Sequence, residues 1–458
     1  MRKHGWEIIG VIGTTIFFIV LVYLIVFLQS LSGAILAIFI GTYLVISSEK
    51  VNRAAMSMVG LGFAGLILWF FNRPFSDLVH NIEWTTILFL VSMMAVVSVA
   101  GHSGMFQYIA LTLARPTGGD TRRLFIIFIV FTFVVSFVFD TTSTILIMGP
   151  LTIEVCKALE LDFKPFLISE AITSNFASIP SIVGAVPNLV IAEEVFRSGV
   201  TGFDGGFLFI VMMPLAVILL IITVFLFLRI FSDQLENSAE EIADGMLVIS
   251  PLHMIRSRND FYLSIGAIGI LALAFTFGQG SGLEPALVAI IVAFIVLIMT
   301  RERVEDILAE INWKTVFFLI GIFGLVAALK LVGFIDYIGG VVGAIVEGNV
   351  GGAVSFLVWV PALLSAVIDN IPVSIVLAPI AASLAYLTPI FPAILVLAVN
   401  VGGYILPIGA PANLLAMALS EEHDDPISFK AFAKIATPLA ILHLVIGTLW
   451  FILLSIFV

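Results

Sequence analysis

Long apolar runs separated by short polar breaks dominate the chain, and the runs predict most of its elements. About 20 apolar residues, rising 1.5 Å each as a helix, cross the roughly 30 Å of bilayer hydrocarbon. Runs of that order cover residues 6–28, 31–47, 54–71, 84–100, 165–192, 207–228, 261–277, 285–300, 313–329, 393–419 and 435–457, which predicts about 11 transmembrane helices. The first could be a cleaved signal peptide, since Arg2 and Lys3 precede it and Ser30 and Ser32 follow. Its apolar core exceeds a typical signal core, which favours a retained helix.

Two further apolar stretches, 124–153 and 350–387, are uncharged except for one acid each, Asp140 and Asp369. Each is either one overlong helix with a buried carboxylate or a re-entrant hairpin with the acid at its tip. Cytoplasmic loops are enriched in Lys and Arg, and this bias decides between the two. With both stretches as hairpins, only Arg73, Arg197 and Lys330 of the 20 basic residues lie on the far side; with both as crossings, the basic residues divide almost evenly. Hairpins are therefore expected, with the N-terminus cytoplasmic and the C-terminus outside.

The chain also repeats itself. Ile82, Trp84, Thr86, Phe89 and Leu90 recur 229 residues later as Ile311, Trp313, Thr315, Phe318 and Leu319, and Ser136, Asp140 and Pro150 recur as Ser365, Asp369 and Pro379. Asn175, Gly184, Ala185 and Asn188 return at an offset of 225 as Asn400, Gly409, Ala410 and Asn413. Each copy holds five crossings and one hairpin, and an odd number of crossings inverts the second copy relative to the first. The expected organisation is an extra N-terminal transmembrane helix at 1–30, a first inverted repeat at 31–230, a cytoplasmic linker at 231–259 and a second inverted repeat at 260–458. Repeats of this kind build secondary transporters, whose sites lie near the midplane.

Composition fixes the solvent. With 61% hydrophobic and 11% charged residues, the chain cannot be folded around a water-facing surface, so an all-α polytopic membrane protein is expected, in the cell's plasma membrane. The net charge of -11 arises mainly in polar segments such as 233–244 and 421–425. No basic patch predicts a nucleic-acid partner. One cysteine, Cys156, and six scattered histidines offer no multi-thiolate or histidine metal site, and no cofactor is expected.

The hairpin tips and the interrupted runs carry the chemistry. The first tip reads Asp140, Thr141, Thr142, Ser143 and the second Asp369, Asn370, Ile371, Pro372, Val373, Ser374. These are helix N-cap residues, and the helix that follows points its positive end into the site. An intramembrane carboxylate is a functional candidate; the plain alternative is that each Asp only caps its helix. The 165–192 and 393–419 runs are broken by Ser, Gly and Pro around Asn175, Gly184 and Asn188, and around Asn400, Gly409 and Asn413. Such breaks free backbone carbonyls that can coordinate a cation, although a Pro kink can also serve packing alone.

At these residues the chain resembles the ion transporter superfamily, in its branch of arsenite permeases, NhaD-type sodium/proton antiporters and the P protein. The carrying stretches are Val135–Ser136–Phe137–Val138–Phe139–Asp140 with Pro150, Ser365–Ala366–Val367–Ile368–Asp369–Asn370–Ile371–Pro372, and Ile408–Gly409–Ala410–Pro411–Ala412–Asn413. The resemblance implies an elevator-type, homodimeric carrier in the lipid bilayer, coupled to H⁺ or Na⁺, with ion and substrate held at the tips and breaks. Family members commonly have Asn after the first tip Asp, where this chain has Thr141. Sodium is therefore expected at the second tip, on Asp369, Asn370 and Asn400.

The function expected is transport of a small inorganic or organic anion or oxyacid of the arsenite-permease type. Na⁺/H⁺ antiport is the alternative. An intramembrane aspartyl protease is more remote, because neither Asp sits in the Gly-x-Gly-Asp turn such enzymes use and the repeat has no part in that chemistry.

Overall fold

The computed structural model describes residues 31–47, 51–117, 120–235, 251–277, 284–300, 303–335, 337, 340, 350–386 and 388–456. The expected helix at 1–30 and much of the expected linker lie outside them. The described elements are helical. They begin with α1 (Leu31–Ser47), α2 (Arg53–Phe70), α3 (Phe75–His80), α4 (Trp84–Ser103), α5 (Met105–Ala114), α6 (Thr121–Val138), α7 (Thr141–Ala158), α8 (Lys164–Ala177), α9 (Val186–Arg197) and α10 (Gly205–Ile230). After them come α11 (Arg258–Phe277), α12 (Pro285–Met299), α13 (Val304–Glu310), α14 (Trp313–Leu331), α15 (Val350–Val367), α16 (Asn370–Leu384), α17 (Ile390–Gly402), α18 (Pro411–Glu422) and α19 (Phe429–Leu454).

Among the described residues, six helices are long and apolar enough to cross a membrane: α2, α4, α6, α10, α14 and α19. Helices α1, α12, α15, α16 and α17 are apolar but shorter. The difference from the expected number has local causes. The 165–192 and 393–419 runs are each split into two short helices, and α11 opens on charged Arg258 and Asp260. The chain is an all-helical polytopic membrane protein.

Contacts divide the chain into two compact units, 1–91 with 312–345 and 92–311 with 346–458. In the first unit α2 packs along α14 and α1. A Cβ on Gly321 would collide with Ser57 and one on Gly324 with the Leu61 side chain. Small residues let helix backbones approach closely where lipid supplies no hydrophobic drive for association.

The second unit contains equivalent parts from both copies. In the first copy α6 and α7 meet at Phe139 and Asp140, α8 and α9 flank a non-helical segment at 178–185, and α10 follows. In the second, α15 and α16 meet at Ile368 and Asp369, α17 and α18 flank a segment with only one 3₁₀ turn at 403–410, and α19 follows. Within each copy the arm before the tip lies on the first half of the broken helix, α6 on α8 and α15 on α17. The arm after the tip lies on the second half of the other copy's broken helix, α7 on α18 and α16 on α9. The two copies are thus interlocked.

Polar contacts join several helix ends. Lys164 Nζ donates to Asp425 Oδ1 at 2.8 Å, and Asp425 raises the Lys164 ammonium above the usual lysine range. Ser98 Oγ donates to Glu310 Oε2 at 2.5 Å, and Arg256 N to Ser103 O at 3.0 Å. Lys164, Asp425, Glu310, Ser103 and Arg256 are expected on the cytoplasmic side, and Ser98 near the cytoplasmic end of the 84–100 crossing. Tyr386 Oη donates to Ser198 O at 2.5 Å, and both were expected outside. Gly104, repeated as Gly333, has φ of 80°, and its counterpart 73°. The Cβ that Gly104 lacks would run into Met254 O, so this turn requires glycine.

Candidate ion and substrate site

Each tip aspartate caps the helix that follows it. Asp140 Oδ1 accepts from Thr142 N at 3.0 Å and Ser143 N at 3.1 Å, and Oδ2 accepts from Ser143 Oγ. Asp369 Oδ1 accepts from Ile371 N at 3.1 Å. Thr141, Ser143, Asn370 and Ser374 are buried, whereas Asp140, Thr142 and Asp369 are half-buried. Ser374 Oγ is turned back to Ile371 O at 2.6 Å. Capping and partial exposure of the residue coexist at both tips.

The breaks lie against the tips. A Cβ on Gly184 would stand 2.8 Å from Ser136 O, and one on Gly409 would stand 2.6 Å from Ser365 O and 2.7 Å from Gly403 O. Ser136 Oγ donates to Ser174 O and Ser365 Oγ donates to Val399 O, both at 2.7 Å. These serines are equivalent in the two copies, and each fastens the arm before its tip to the helix entering its break. At the second tip Asn370 Nδ2 comes so near the break that a Cβ on Gly403 would be 3.3 Å away.

The four repeated asparagines form one buried cluster across the copies. Asn175 Nδ2 donates to Ala171 O at 2.8 Å and to Asn413 Oδ1 at 3.1 Å; Asn400 Nδ2 donates to Val396 O at 2.8 Å and to Asn188 Oδ1 at 2.6 Å. Asn188 Nδ2 also donates to Ser178 O at 2.9 Å and Ser181 O at 2.8 Å, and Asn413 Nδ2 to Gly403 O at 2.8 Å. Asn188 and Asn413 thus satisfy carbonyls that the broken helices leave open.

One difference breaks the symmetry. Ser178 Oγ donates to Asn400 Oδ1 at 3.2 Å, but the position equivalent to Ser178 is Gly403, which has no hydroxyl. Asn175 Oδ1 therefore accepts no hydrogen bond among the described residues. The free amide oxygen belongs to Asn175, not to Asn400, on which the sodium expectation was placed.

Helices α9 and α18, which leave the breaks, start at Ala185 and Ala410 with no side-chain cap and with Pro at the first or second position. Their leading amides face the breaks with positive dipole ends, an arrangement suited to an anion. Beside the first break a pocket of about 350 Å³, including its open mouth, is lined by Phe137, Val138, Pro180 to Val183, Gly205, Phe209, Ala272 and Phe275.

Two further polar groups were not found from the sequence. Glu170, at the middle of α8, is fully buried and accepts from Thr152 Oγ1 at 2.5 Å. His443 of α19 lies 2.6 Å from Tyr404 Oη and 3.2 Å from Thr223 Oγ1. A neutral imidazole satisfies both contacts, donating at one nitrogen and accepting at the other. Neither group is repeated in the other copy, and repetition was the signal that singled out the tips and breaks. The visible trace of Glu170 is a lone acid in an otherwise uncharged run.

The sequence profile of the citrate transporter family matches residues 43–399. The chain belongs to the citrate transporter family. It is therefore a membrane transporter, and the resemblance to the ion transporter superfamily is borne out. An uncharacterized transporter of Mycobacterium tuberculosis is 28% identical over 413 residues, covering 88% of this chain and 94% of the relative. The human P protein is 25% identical over 493 residues, covering 90% of this chain and 58% of P protein. Among solved structures, the YdaH transporter of Alcanivorax borkumensis matches with a TM-score of 0.51 at 13% identity, covering 83% of this chain and 88% of that one. At that identity the likeness speaks for the fold of this family member.

Proposed function

We propose that this protein is a secondary active transporter that moves a small anion or oxyacid across the membrane, coupled to H⁺ or Na⁺ by an elevator-type alternating-access movement. The observation that carries this is the interlocked pair of broken helices, each beside an Asp-capped tip and each leaving its break with an N-terminus that no side chain caps. No Lys or Arg occurs in 124–153, 165–196, 350–387 or 388–429. An anion would therefore be held by backbone amides, hydroxyls and helix dipoles, which suits a small or weakly charged oxyacid. The family's name brings citrate in as a probe beside arsenite. The coupling ion would bind at the half-buried carboxylates, and sodium at the second tip would draw on Asp369 and Asn370; engaging Asn400 Oδ1 requires displacing the Ser178 hydroxyl. A homodimer in the plasma membrane with a cytoplasmic N-terminus completes the proposal.

Na⁺/H⁺ antiport is the second reading, favoured by the tips themselves: Asp140 and Asp369 are the only acidic or basic residues in 124–153 and 350–387. Purified protein in proteoliposomes separates the two. Saturable uptake of citrate, arsenite or a dicarboxylate driven by an imposed H⁺ or Na⁺ gradient, with counterflow, is the expected result. Cation/proton exchange with no added solute would replace it with antiport.

A further inference from the structure

Glu170 is a fully buried carboxyl whose Oε1 accepts the Thr152 hydroxyl, while its Oε2 has no partner among the described residues. Thr173, one turn further along α8 and on the same face, is also fully buried with an unpartnered hydroxyl. The second copy provides an internal control. The equivalents of Glu170, Thr173 and Thr152 are Leu395, Ala398 and Ala381, all buried. This position in the fold thus packs with apolar side chains alone. A buried carboxyl with an unpartnered oxygen is costly, and the fold does not demand it.

Among the described residues no opposite charge neutralises the group. Helices α6, α7, α10, α17 and α18 pack on α8. Their charged side chains are Arg122 and Arg123 on α6, Glu154 and Lys157 on α7, Arg229 on α10, and Glu421 and Glu422 on α18; all are exposed, and α17 has none. Lys164, on α8 itself, is bound to Asp425. The buried titratable neighbours are Cys156, one turn beyond Thr152, and His443, whose ring meets Phe176 of α8. A lone carboxyl with a hydroxyl donor on one oxygen and a free second oxygen offers a metal ion one charged ligand and few oxygens, and suits a proton better.

We propose that Glu170, supported by Thr152 and Thr173, is a proton-binding site of the first copy and carries a coupling proton in addition to any ion held at the tip aspartates. The coupling role rests on the transporter reading above; proton binding at Glu170 does not. Glu170 lies eight residues before Ser178, where the first break begins, or about 12 Å along the helix axis. A proton there acts on the helix that enters the first break and carries Asn175.

Infrared difference spectra of the full chain in liposomes, recorded while pH is stepped, follow the C=O band of protonated carboxyls. The expected result is a reversible band that is lost in Glu170→Gln and in Glu170→Leu, which imitates the second copy, and that survives in Asp140→Asn. In Thr152→Val the charged carboxylate loses its hydroxyl donor, so the midpoint of that band should move up by roughly one pH unit. A band unchanged in both Glu170 variants overturns the site. An altered Na⁺ dependence with no change in the carboxyl band also overturns it, by assigning the group to a metal ion. If the band is lost as expected but no probe anion, citrate or arsenite, follows an imposed pH gradient in the parent protein, the proton site stands and the coupled-transport reading fails. If uptake in the parent is proton-driven and keeps its pH profile in Glu170→Gln, the coupling role at Glu170 fails alone.

Discussion

Asn is as good an N-cap as Asp, because its side-chain oxygen accepts the same amide hydrogens. Asp140→Asn and Asp369→Asn therefore remove charge while keeping the caps seen at Thr142, Ser143 and Ile371. Each variant is expected to hold its thermal unfolding within about 1 kcal/mol of the parent and to lose gradient-driven uptake. Uptake at the parent rate with unchanged pH and Na⁺ dependence would leave the aspartates as caps only. The asparagine cluster predicts a different split. Asn400→Ala removes the bonds to Ser178, Asn188 and Val396, whereas Asn175→Ala removes those to Asn413 and Ala171 together with an oxygen that already lacks a partner. Orphaned buried polar groups cost about 1–3 kcal/mol each, so Asn400→Ala should melt at the lower temperature, and equal melting shifts would refute the asymmetry. All four asparagines were visible in the sequence because they repeat. That they bond to one another across the copies was not, because no spacing encodes a contact between residues more than 200 positions apart. Glu170 escaped notice for the opposite reason: it occurs in one copy only.

At the scale of elements, the interruption of α8–α9 and α17–α18 was legible from Ser, Gly and Pro inside apolar runs, since these residues weaken or remove helical hydrogen bonds. The short helices α3, α5 and α13 were not. Six to ten residues with mixed polarity carry too little periodicity to announce a helix, and it is tertiary contact, as of α5 with the 3₁₀ turn Pro251–Met254, that holds such a segment. The breaks themselves depend on close backbone approach. Gly184→Ala puts a methyl group 2.8 Å from Ser136 O, and Gly409→Ala puts one 2.6 Å from Ser365 O and 2.7 Å from Gly403 O. These neighbours are backbone atoms that cannot swing aside, so the broken helix must move away from the arm before the tip. Such overpacking costs about 1–3 kcal/mol, and both variants are expected to unfold earlier and to transport at a small fraction of the parent rate. Gly266→Ala, where nothing lies within 4 Å of the added methyl, provides the comparison that should leave both measurements nearly unchanged. If Gly184→Ala behaves like Gly266→Ala, the close approach has no functional weight.

Across the whole molecule, the proposed inverted repeat can be tested chemically, because it assigns every connecting segment to one side of the membrane. The ion pair of Lys164 with Asp425 and the hydrogen bond of Tyr386 with Ser198 each join segments from different copies. Each also joins segments that the distribution of Lys and Arg puts on the same side. Two independent properties, charge along the chain and contact between copies, therefore sort these ends in the same way. If the α15–α16 stretch crossed the membrane instead of folding back, Tyr386 would lie on the side opposite the start of α15, and Lys430 and Lys434 would join Arg73, Arg197 and Lys330 on the far side. Single cysteines introduced on a Cys156→Ser background test the assignment with a membrane-impermeant thiol reagent. Lys157 and Glu422 are exposed and should be labelled only from the cytoplasmic side; exposed Thr201 and half-buried Thr388 should be labelled only from outside. Cytoplasmic labelling at Thr388 together with external labelling at Thr201 would remove the second hairpin. The two copies would then no longer be inverted, and the alternating-access proposal would lose its symmetry argument even if the protein still transported an anion.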